Sequence, residues 1–273
     1  MPFFLIKGHY RPKAGIPDGD SVRFLANNLA LWGKLDGYSV RLGTSAKTKD
    51  TVQLRLEGID AIEKAAIRPF SADATQGLLD LLGFEKDANP EPEGYILARM
   101  TDDKTRRPIC FAFAGATDVA DGSEVWLKAP LLRKSANYRQ MSAGLAYPLY
   151  YNTLFAELRK VFDGALRTAK ATRSGYWPTD RTLRGVTIKS AADLATMPPV
   201  WPKLWRRLQA FLREGKPLSE FIQFLAKKNE RVDILSEMDE VGLQDLVHVD
   251  DGVVRLLQPP ENLRVRAKAG RRA

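Results

Sequence analysis

Short runs of alternating apolar and polar residues, separated by turns, are the strongest constraint on the fold of this chain. Residues 52–57 alternate strictly, and a second apolar run at residues 21–25 follows a Pro-Asp-Gly-Asp turn. Because successive side chains of a β-strand point to opposite faces, the pattern predicts half-buried strands with Arg55 on the polar face. Two further runs that read as strands, joined by a polar hairpin, lie at residues 95–100 and 109–114.

Helical spacing follows these strands. Apolar residues spaced three and four apart predict a helix from Asp60 to about Gly83, where the glycine marks its end. Two more helices are predicted over residues 137–144 and 152–174, and residues 27–50 form an extra hairpin or an excursion. About five short strands with intervening helices suit a small closed sheet. We therefore expect an α+β fold in which a five-stranded Greek-key β-barrel is capped by helices.

The last third of the chain differs from the rest. Residues 181–202 are polar and turn-rich and are interpreted as a linker between a first domain, residues 1–180, and an accessory module, residues 203–273. That module is predicted to be small and mostly helical, with a β-hairpin at residues 247–256 around an Asp-Gly turn. Helices followed by a hairpin are typical of a winged-helix nucleic-acid binder, but also of a packing or oligomerisation module.

Charge and rare residues narrow the classes of function. The formal net charge is +9, which favours a polyanionic partner. With only His9, His248 and the single Cys110, the chain has too few ligands for a zinc site and no pair for a disulfide. No apolar run approaches the roughly 20 residues of a membrane span, so we expect a cytoplasmic protein. A basic tail without acidic residues contains Arg264, Arg266, Lys268, Arg271 and Arg272.

Acidic and basic residues alternate in a suggestive order between residues 18 and 63. Asp18 and Asp20 flank a glycine, Arg55 lies on a predicted strand, and Asp60 and Glu63 follow three residues apart. Each piece also has a local explanation. The first pair is ordinary turn chemistry, Arg55 has an acidic neighbour two residues away, and the last pair suits a capping box. Taken together, the order predicts a site for a hard cation beside an anion clamp.

These motifs resemble those of the staphylococcal nuclease (thermonuclease) family, which has an oligonucleotide-binding (OB) fold. The family pattern is an Asp-Gly-Asp-Thr turn, then Arg-Leu-x-x-x-Asp-Thr-Pro-Glu, then an arginine on a later hairpin. The matching segments here are residues 18–21, residues 55–63 and Arg107, and further likeness extends over roughly residues 14–178. This chain departs from the pattern at Ala61 and Ile62, which replace Thr and Pro, and at its hairpin, where Arg106 replaces Gly.

The resemblance implies a Ca²⁺-dependent nuclease that leaves 3′-phosphate ends. It implies that Arg55 and Arg107 bind the phosphate, since each guanidinium can donate two parallel hydrogen bonds to phosphate oxygens and stays charged. Glu63 would orient or deprotonate the attacking water. The implied metal ligands are Asp20, Asp60 and the carbonyl of Ala61, with Asp18 acting through water, and the implied substrate-binding residues are Tyr150, Lys104 and Arg106.

Nucleic acid, either DNA or RNA, is therefore the predicted partner, and no membrane is expected. The accessory module is a candidate surface for a protein partner or for self-association. Two alternatives belong to another class: a catalytically inactive OB-fold protein that binds nucleic acid, and an adaptor that works mainly through residues 181–273. The choice between Arg106 and Arg107 as the functional hairpin arginine stays open at the level of sequence.

Overall fold

The computed structural model describes residues 2–66 and 68–267 of the 273-residue chain. The protein is a mixed α+β structure with a barrel-like sheet and several helices. The strands are β1 (Phe3–Tyr10), β2 (Arg23–Ala26), β3 (Val52–Gln53), β4 (Arg55–Leu56), β5 (Gly58–Asp60), β6 (Glu93–Thr101), β7 (Pro108–Ala114), β8 (Glu124–Val125), β9 (Tyr147–Tyr151), β10 (Val186–Thr187), β11 (Arg231–Ile234), β12 (Asp239–Gly242), β13 (Val247–Asp250), β14 (Val253–Leu256) and β15 (Leu263–Val265).

The helices are α1 (Arg68–Leu81), α2 (Ala129–Leu132), α3 (Ala136–Ser142), α4 (Ala156–Ala171), α5 (Pro202–Leu212) and α6 (Phe221–Lys228). Single 3₁₀ turns connect several of these elements, and the longest, Leu29–Lys34, opens the excursion predicted between residues 27 and 50. Within the described part of the chain, no helix is both long enough and apolar enough to cross a membrane.

The largest sheet is nearly closed on itself. Its strands lie in the order β3-β2-β1-β6-β7-β4, and β8 pairs with β1 outside this path. The two end strands of the path, β3 and β4, are separated in the chain only by Leu54, which is fully buried. Since one residue spans at most about 3.6 Å, the sheet must curl until its edges meet. The result is a barrel-like sheet around an apolar core.

The side chains of strand β9 contribute to two hydrophobic cores. The side chains of a strand alternate between its faces, and here Tyr150 points into the core of the barrel while Leu149 points into a second core. On one side β9 pairs with β5, and on the other it pairs in parallel with β15 from the C-terminal region. The five-stranded sheet β12-β11-β15-β9-β5 therefore runs from the barrel side of the molecule into the C-terminal region.

The C-terminal region contains more strands than predicted. Helices α5 and α6 and the 247–256 hairpin are confirmed, whereas β11, β12 and β15 within the predicted module and β10 within the predicted linker are strands that were not predicted. Residues of the predicted linker contribute apolar side chains to the second core, among them Trp201, which is almost fully buried. The domain boundaries at residues 180 and 202 stay a prediction.

The basic tail is partly structural. Arg264 and Arg266 both form 2.7 Å ion pairs with Asp233, one to each carboxylate oxygen. These two arginines therefore hold β15 against β11. The other three cationic residues of the tail, Lys268, Arg271 and Arg272, lie outside the described residues.

The helix expected to begin at Asp60 begins at Arg68 instead. Residues 58–60 form β5, which pairs with residues 147–149 of β9. A long-range strand partner thus overrides the local pattern that resembled a helix cap. The capping-box explanation for Asp60 and Glu63 is therefore wrong.

Candidate active site

The Asp18-Gly19-Asp20 segment forms a tight turn that its own side chains stabilise. The Asp18 Oδ1 accepts a 2.9 Å hydrogen bond from the Ser21 hydroxyl and a 3.4 Å hydrogen bond from the Asp20 amide. Gln53 in β3 donates in turn to the Ser21 hydroxyl at 2.9 Å. Short polar side chains that bond their own backbone favour turns of this kind. The turn is thereby fixed to the rim of the barrel.

The turn packs closely against the residues that follow β5. A Cβ atom at Gly19 would lie 2.6 Å from the Cβ of Ala61, so only glycine allows this approach. The Asp20 Oδ2 accepts a 3.0 Å hydrogen bond from the Ala61 amide. From α3, the buried Gln140 donates 2.8 Å bonds to the carbonyls of Gly19 and Ala74. These contacts bring Asp18 and Asp20 beside Asp60.

A bend at Gly58 places Arg55 and Asp60 on either side of a kink between two sheets. Gly58 has a φ of +82°, in the left-handed region, and a Cβ there would lie 2.7 Å from the ring of Phe162. Before the bend, β4 pairs in parallel with β7; after it, β5 pairs with β9. Buried Asn137 in α3 donates to the carbonyl of Glu57 at 2.9 Å and holds the bend from behind.

Asp18, Asp20, Asp60 and Glu63 together form what we call the acidic cluster. Burial raises the pKa of Asp20 well above its usual value, and the neighbouring charges of Asp18 and Asp60 raise it further. Burial also raises the pKa of Glu63, against the opposing effect of Arg206, and Asp60 and Asp18 add to the increase. Like charges gathered in this way favour a bound cation.

The cation that contacts the acidic cluster is the guanidinium of Arg206, from α5. Its Nη1 and Nη2 each donate a 2.8 Å hydrogen bond to Asp60, one to each carboxylate oxygen, and Nη1 also donates to Glu63 at 2.7 Å. The Asp60 side chain is only 4% exposed, whereas that of Arg206 is 32% exposed. Burial lowers the pKa of Arg206, but the two carboxylates more than offset this and raise it. Asp60 is thus fully paired.

Arg55 lies at the edge of the acidic cluster. Its guanidinium sits 4.7 Å from the ring centroid of Tyr151, the last residue of β9. Burial lowers the pKa of Arg55, but interactions with Tyr151 and the negative charges of Glu57 and Asp60 raise it overall. A guanidinium close to an aromatic ring is attracted to it and keeps its charge. Arg55 is therefore presented as an anion-binding group beside carboxylates.

The hairpin between β6 and β7 positions its two arginines differently. The Arg107 Nε donates to the Thr105 hydroxyl at 2.8 Å and to Asp102 at 3.3 Å. Burial alone would raise the pKa of Asp102, but hydrogen bonds from Thr105 and the charges of Arg107 and Arg55 lower it. Arg107 immediately precedes β7, whose Ile109 is the register partner of Arg55 in β4, so the two arginines lie near each other along this pair of strands.

Arg106 points to the excursion instead. It has a φ of +57°, and its guanidinium lies 5.8 Å from the ring centroid of Tyr38. The carbonyl of Arg106 accepts a 3.1 Å hydrogen bond from the Arg41 amide. Lys104, the remaining basic residue of this hairpin named as a candidate, is exposed at the tip. The hairpin and the excursion together form an exposed basic edge of the barrel.

Tyr150 lies inside the protein in this structure. Its side chain is fully buried in the barrel core, and its hydroxyl donates a 2.8 Å hydrogen bond to Asp163 of α4. Burial, followed by the charge of Asp163, raises the pKa of this tyrosine well above its usual value. Tyr151, the next residue of β9, points to the opposite face of the strand and is partly exposed. Its ring is the one that Arg55 contacts. The site is thus lined by Tyr151 rather than by Tyr150.

The donor types of the acidic cluster fit a hard cation, because carboxylate oxygens are the preferred ligands of Ca²⁺ and Mg²⁺. The guanidinium of Arg206 against Asp60 and Glu63 supports this fit, since it is itself a bound cation. In this structure, however, the oxygens of Asp60 and Glu63 are bonded to the guanidinium of Arg206. Among residues 2–66 and 68–267, no three or more His, Cys, Asp or Glu side chains are grouped as ligands of a metal ion.

Sequence reasoning missed several residues that build the site. Arg206 lies 146 residues after Asp60, in the region predicted to be separate. Asn137 and Gln140 lie three apart on α3, so both face the barrel, but nothing in their spacing distinguishes them from surface residues. Tyr151 had a detectable signal, since it adjoins the predicted Tyr150 on an alternating strand. Arg206 and Arg207 are adjacent in the sequence, but nothing in the sequence identifies their partners.

No known protein-family model matches the chain. The chain is 24% identical over 215 residues to a protein named probable endonuclease lcl3, from Pyrenophora tritici-repentis; the match covers 75% of this chain and 69% of that protein. The chain is therefore similar to a protein named as an endonuclease.

Proposed function

We propose that the protein is a metal-dependent nuclease of the staphylococcal nuclease type, with an OB-fold barrel, that hydrolyses phosphodiester bonds of DNA or RNA. One observation carries the proposal: Asp60 and Glu63 share one guanidinium partner and lie beside Asp20 and Arg55, whose guanidinium is 4.7 Å from the ring centroid of Tyr151. The similarity to a protein named as an endonuclease supports the same reading. The resemblance adds Ca²⁺ as the cofactor and 3′-phosphate products.

A phosphodiester resists attack because it is already anionic. Arg55 and Arg107 would bind the non-bridging oxygens and stabilise the charge that develops on them, with Arg107 favoured over Arg106 by its position beside Asp102. Glu63 would orient the attacking water and accept its proton. The new phosphorus–oxygen bond would form as the bond to the 5′ oxygen breaks, and that oxygen would leave as a hydroxyl by taking a proton from a second water molecule.

Asp20, Asp60 and the carbonyl of Ala61 are the residues that would hold Ca²⁺, with Asp18 contributing through water. Bound there, the ion would supply positive charge to the phosphate in the transition state. Lys104 and Arg106 on the exposed hairpin would extend the contact along the nucleic-acid backbone. Tyr150 is buried in this structure and is left out of the proposed contacts.

The test is a digestion of single- and double-stranded DNA and RNA with the purified protein, titrated with Ca²⁺ and then treated with a chelator. Glu63→Gln and Arg55→Ala are expected to lose cleavage by a factor of about 10² or more while remaining folded by circular dichroism. Exposed Glu85 and Arg213 provide matched controls, and Glu85→Gln and Arg213→Ala should cleave like the wild type. Unchanged cleavage by both site variants would refute the assignment.

A non-catalytic nucleic-acid-binding barrel is the second candidate. The ion pairs of Arg206 with Asp60 and Glu63 favour it, because paired carboxylates are not available to bind a metal or activate water. Tight binding of nucleic acid without turnover in Ca²⁺, Mg²⁺ or Mn²⁺ would select this alternative over the nuclease.

A further inference from the structure

Arg206 satisfies Asp60 and Glu63, two of the four members of the acidic cluster, from the C-terminal region. Its three hydrogen bonds use both oxygens of Asp60 and one of Glu63, at 2.7 to 2.8 Å. These are the residues that the proposed nuclease would need for its metal ion and its water. A charge-assisted bidentate pair of this kind is among the stronger polar contacts in proteins.

The backbone that carries Arg206 is firmly held. Helix α5 buries Leu204, Trp205, Leu208 and Phe211 in the second core. That core also contains Tyr147 and Leu149 of β9, and β9 is hydrogen-bonded to β15. Undocking the C-terminal region would therefore expose a large apolar surface and break a sheet. The position of Arg206 beside the acidic cluster is thus a fixed feature of the fold.

The side chain of Arg206 has more freedom than its backbone. It is 32% exposed, and Glu63 is similarly exposed at 33%, whereas Asp60 is almost fully buried. Solvent therefore reaches the ion pair from the side of Arg206 and Glu63. Arginine side chains contain several rotatable bonds, so the guanidinium can leave the carboxylates while α5 stays in place. Release of Asp60 and Glu63 requires a side-chain rotation only.

A divalent cation and the guanidinium compete for the same oxygens. The charges of Asp18 and Asp60 act on Asp20, and this repulsion falls when a cation is bound to Asp60. Because both cations bind Asp60, binding of one must weaken binding of the other by the same factor. The C-terminal region therefore sets how readily the site takes a metal ion.

We propose that Arg206 is an internal counter-ion that a divalent cation must displace, so that the C-terminal region raises the cation concentration at which the site loads. This inference rests on the proposed function, because it assumes that the acidic cluster takes a metal ion. It gives the region beyond residue 180 a defined role in the reaction. Arg206 acts through Asp60 and Glu63 and is a positioning residue.

The test is calorimetric titration of Ca²⁺ into the full-length protein without nucleic acid. Arg206→Ala should bind Ca²⁺ about tenfold more tightly than the wild type or better, which corresponds to loss of a competing contact of about 1.4 kcal/mol. Arg206→Lys, which keeps one charge but not the bidentate pair, should lie between the two. The control is Arg213→Ala, the same substitution at an exposed residue just after α5, which should bind like the wild type.

Equal or weaker Ca²⁺ binding by folded Arg206→Ala would overturn the inference. If that variant does not fold, Arg206→Gln, which retains a hydrogen-bond donor, provides the same comparison. Failure of the inference and failure of the proposed function are distinguishable. Tighter Ca²⁺ binding by Arg206→Ala without any cleavage would uphold the role of Arg206 and refute the nuclease. Ca²⁺-dependent cleavage together with unchanged Ca²⁺ affinity of Arg206→Ala would support the nuclease and refute the role of Arg206.

Discussion

Arg206 and Arg207 are neighbours on α5, yet they lie in two different kinds of ion-pair cluster. Arg206 pairs with Asp60 and Glu63. Arg207 pairs with Glu230, just before β11, through bonds of 2.5 and 2.7 Å, and Lys203 donates to the same carboxylate at 2.6 Å. Two adjacent residues of one helix thus contact different parts of the molecule: Arg206 contacts the residues that follow the barrel strands, and Arg207 contacts the C-terminal region.

The balance of charge differs between the two clusters. Around Glu230, one carboxylate meets two cations, and burial of Lys203 to 4% exposure makes this carboxylate necessary for stability. In the acidic cluster, Arg206 binds two of the four carboxylates, and Arg55 lies near enough to Asp60 to be affected by its charge. The comparison teaches that the charge of Glu230 is fully matched by its own neighbours, whereas the acidic cluster contains more carboxylates than the arginines beside it, an excess that we propose serves to bind a cation.

The largest expected effect on stability comes from Glu230. Replacing it with Gln leaves Lys203 and Arg207 without a negative partner, and breaking a buried pair costs about 3 kcal/mol of unfolding free energy. Urea unfolding at pH 7 measures the loss. Addition of Ca²⁺ should not restore it, because this cluster has no proposed role in metal binding. A loss below about 0.5 kcal/mol would contradict the structural role.

The same variant makes a prediction about pH. Burial alone would raise the pKa of Glu230, but hydrogen bonds and charges from Arg207 and Lys203 lower it from 4.5 to about 2. A lowered pKa means that the ionised form stabilises the folded state, fully above pH 4.5 and progressively less as the pH falls toward 2. The stability difference between wild type and Glu230→Gln should therefore shrink as unfolding is repeated from pH 5 down to pH 3. A difference that stays constant would contradict this.

The effect of Arg206→Ala on stability should be smaller and should depend on the metal. Without divalent cations, the variant leaves buried Asp60 unpaired and should lose about 1 to 3 kcal/mol. Ca²⁺ at 100 times its dissociation constant would return about 2.7 kcal/mol. Thermal unfolding with chelator and with Ca²⁺ measures both values. A loss that Ca²⁺ does not reduce would place Arg206 in the same structural class as Arg207.

Local signals predicted much of the barrel and its charged residues. The turn at Asp18, the strands with Arg55, the β6–β7 hairpin and helix α4 all follow from turn chemistry and periodicity over a few residues. These signals work because the chain itself brings the residues together. The order of the acidic and basic residues between positions 18 and 63 likewise predicted a shared site, and the structure places Asp60 and Glu63 on one guanidinium.

Contacts between distant segments could not be predicted. Asp60 resembled a helix cap because its strand partner, Tyr147, lies 87 positions away, and the residues around Asp60 do not reveal this pairing. The contact between Arg206 and Asp60 was not predicted, because residues 181–202 were interpreted as a linker between separate parts and the two residues lie 146 positions apart. The burial of Tyr150 could not be predicted either, because strand alternation fixes which residues share a face, but not which face is buried.

The most direct test of the distinction between the two clusters is single-turnover cleavage of an end-labelled oligonucleotide in saturating Ca²⁺ by wild type, Glu63→Gln and Glu230→Gln, each corrected for its folded fraction. The acidic cluster is predicted to carry the chemistry, so Glu63→Gln should cleave slower by a factor of about 10² or more, while folded Glu230→Gln should match the wild type. Equal cleavage rates for wild type and Glu63→Gln would contradict the account.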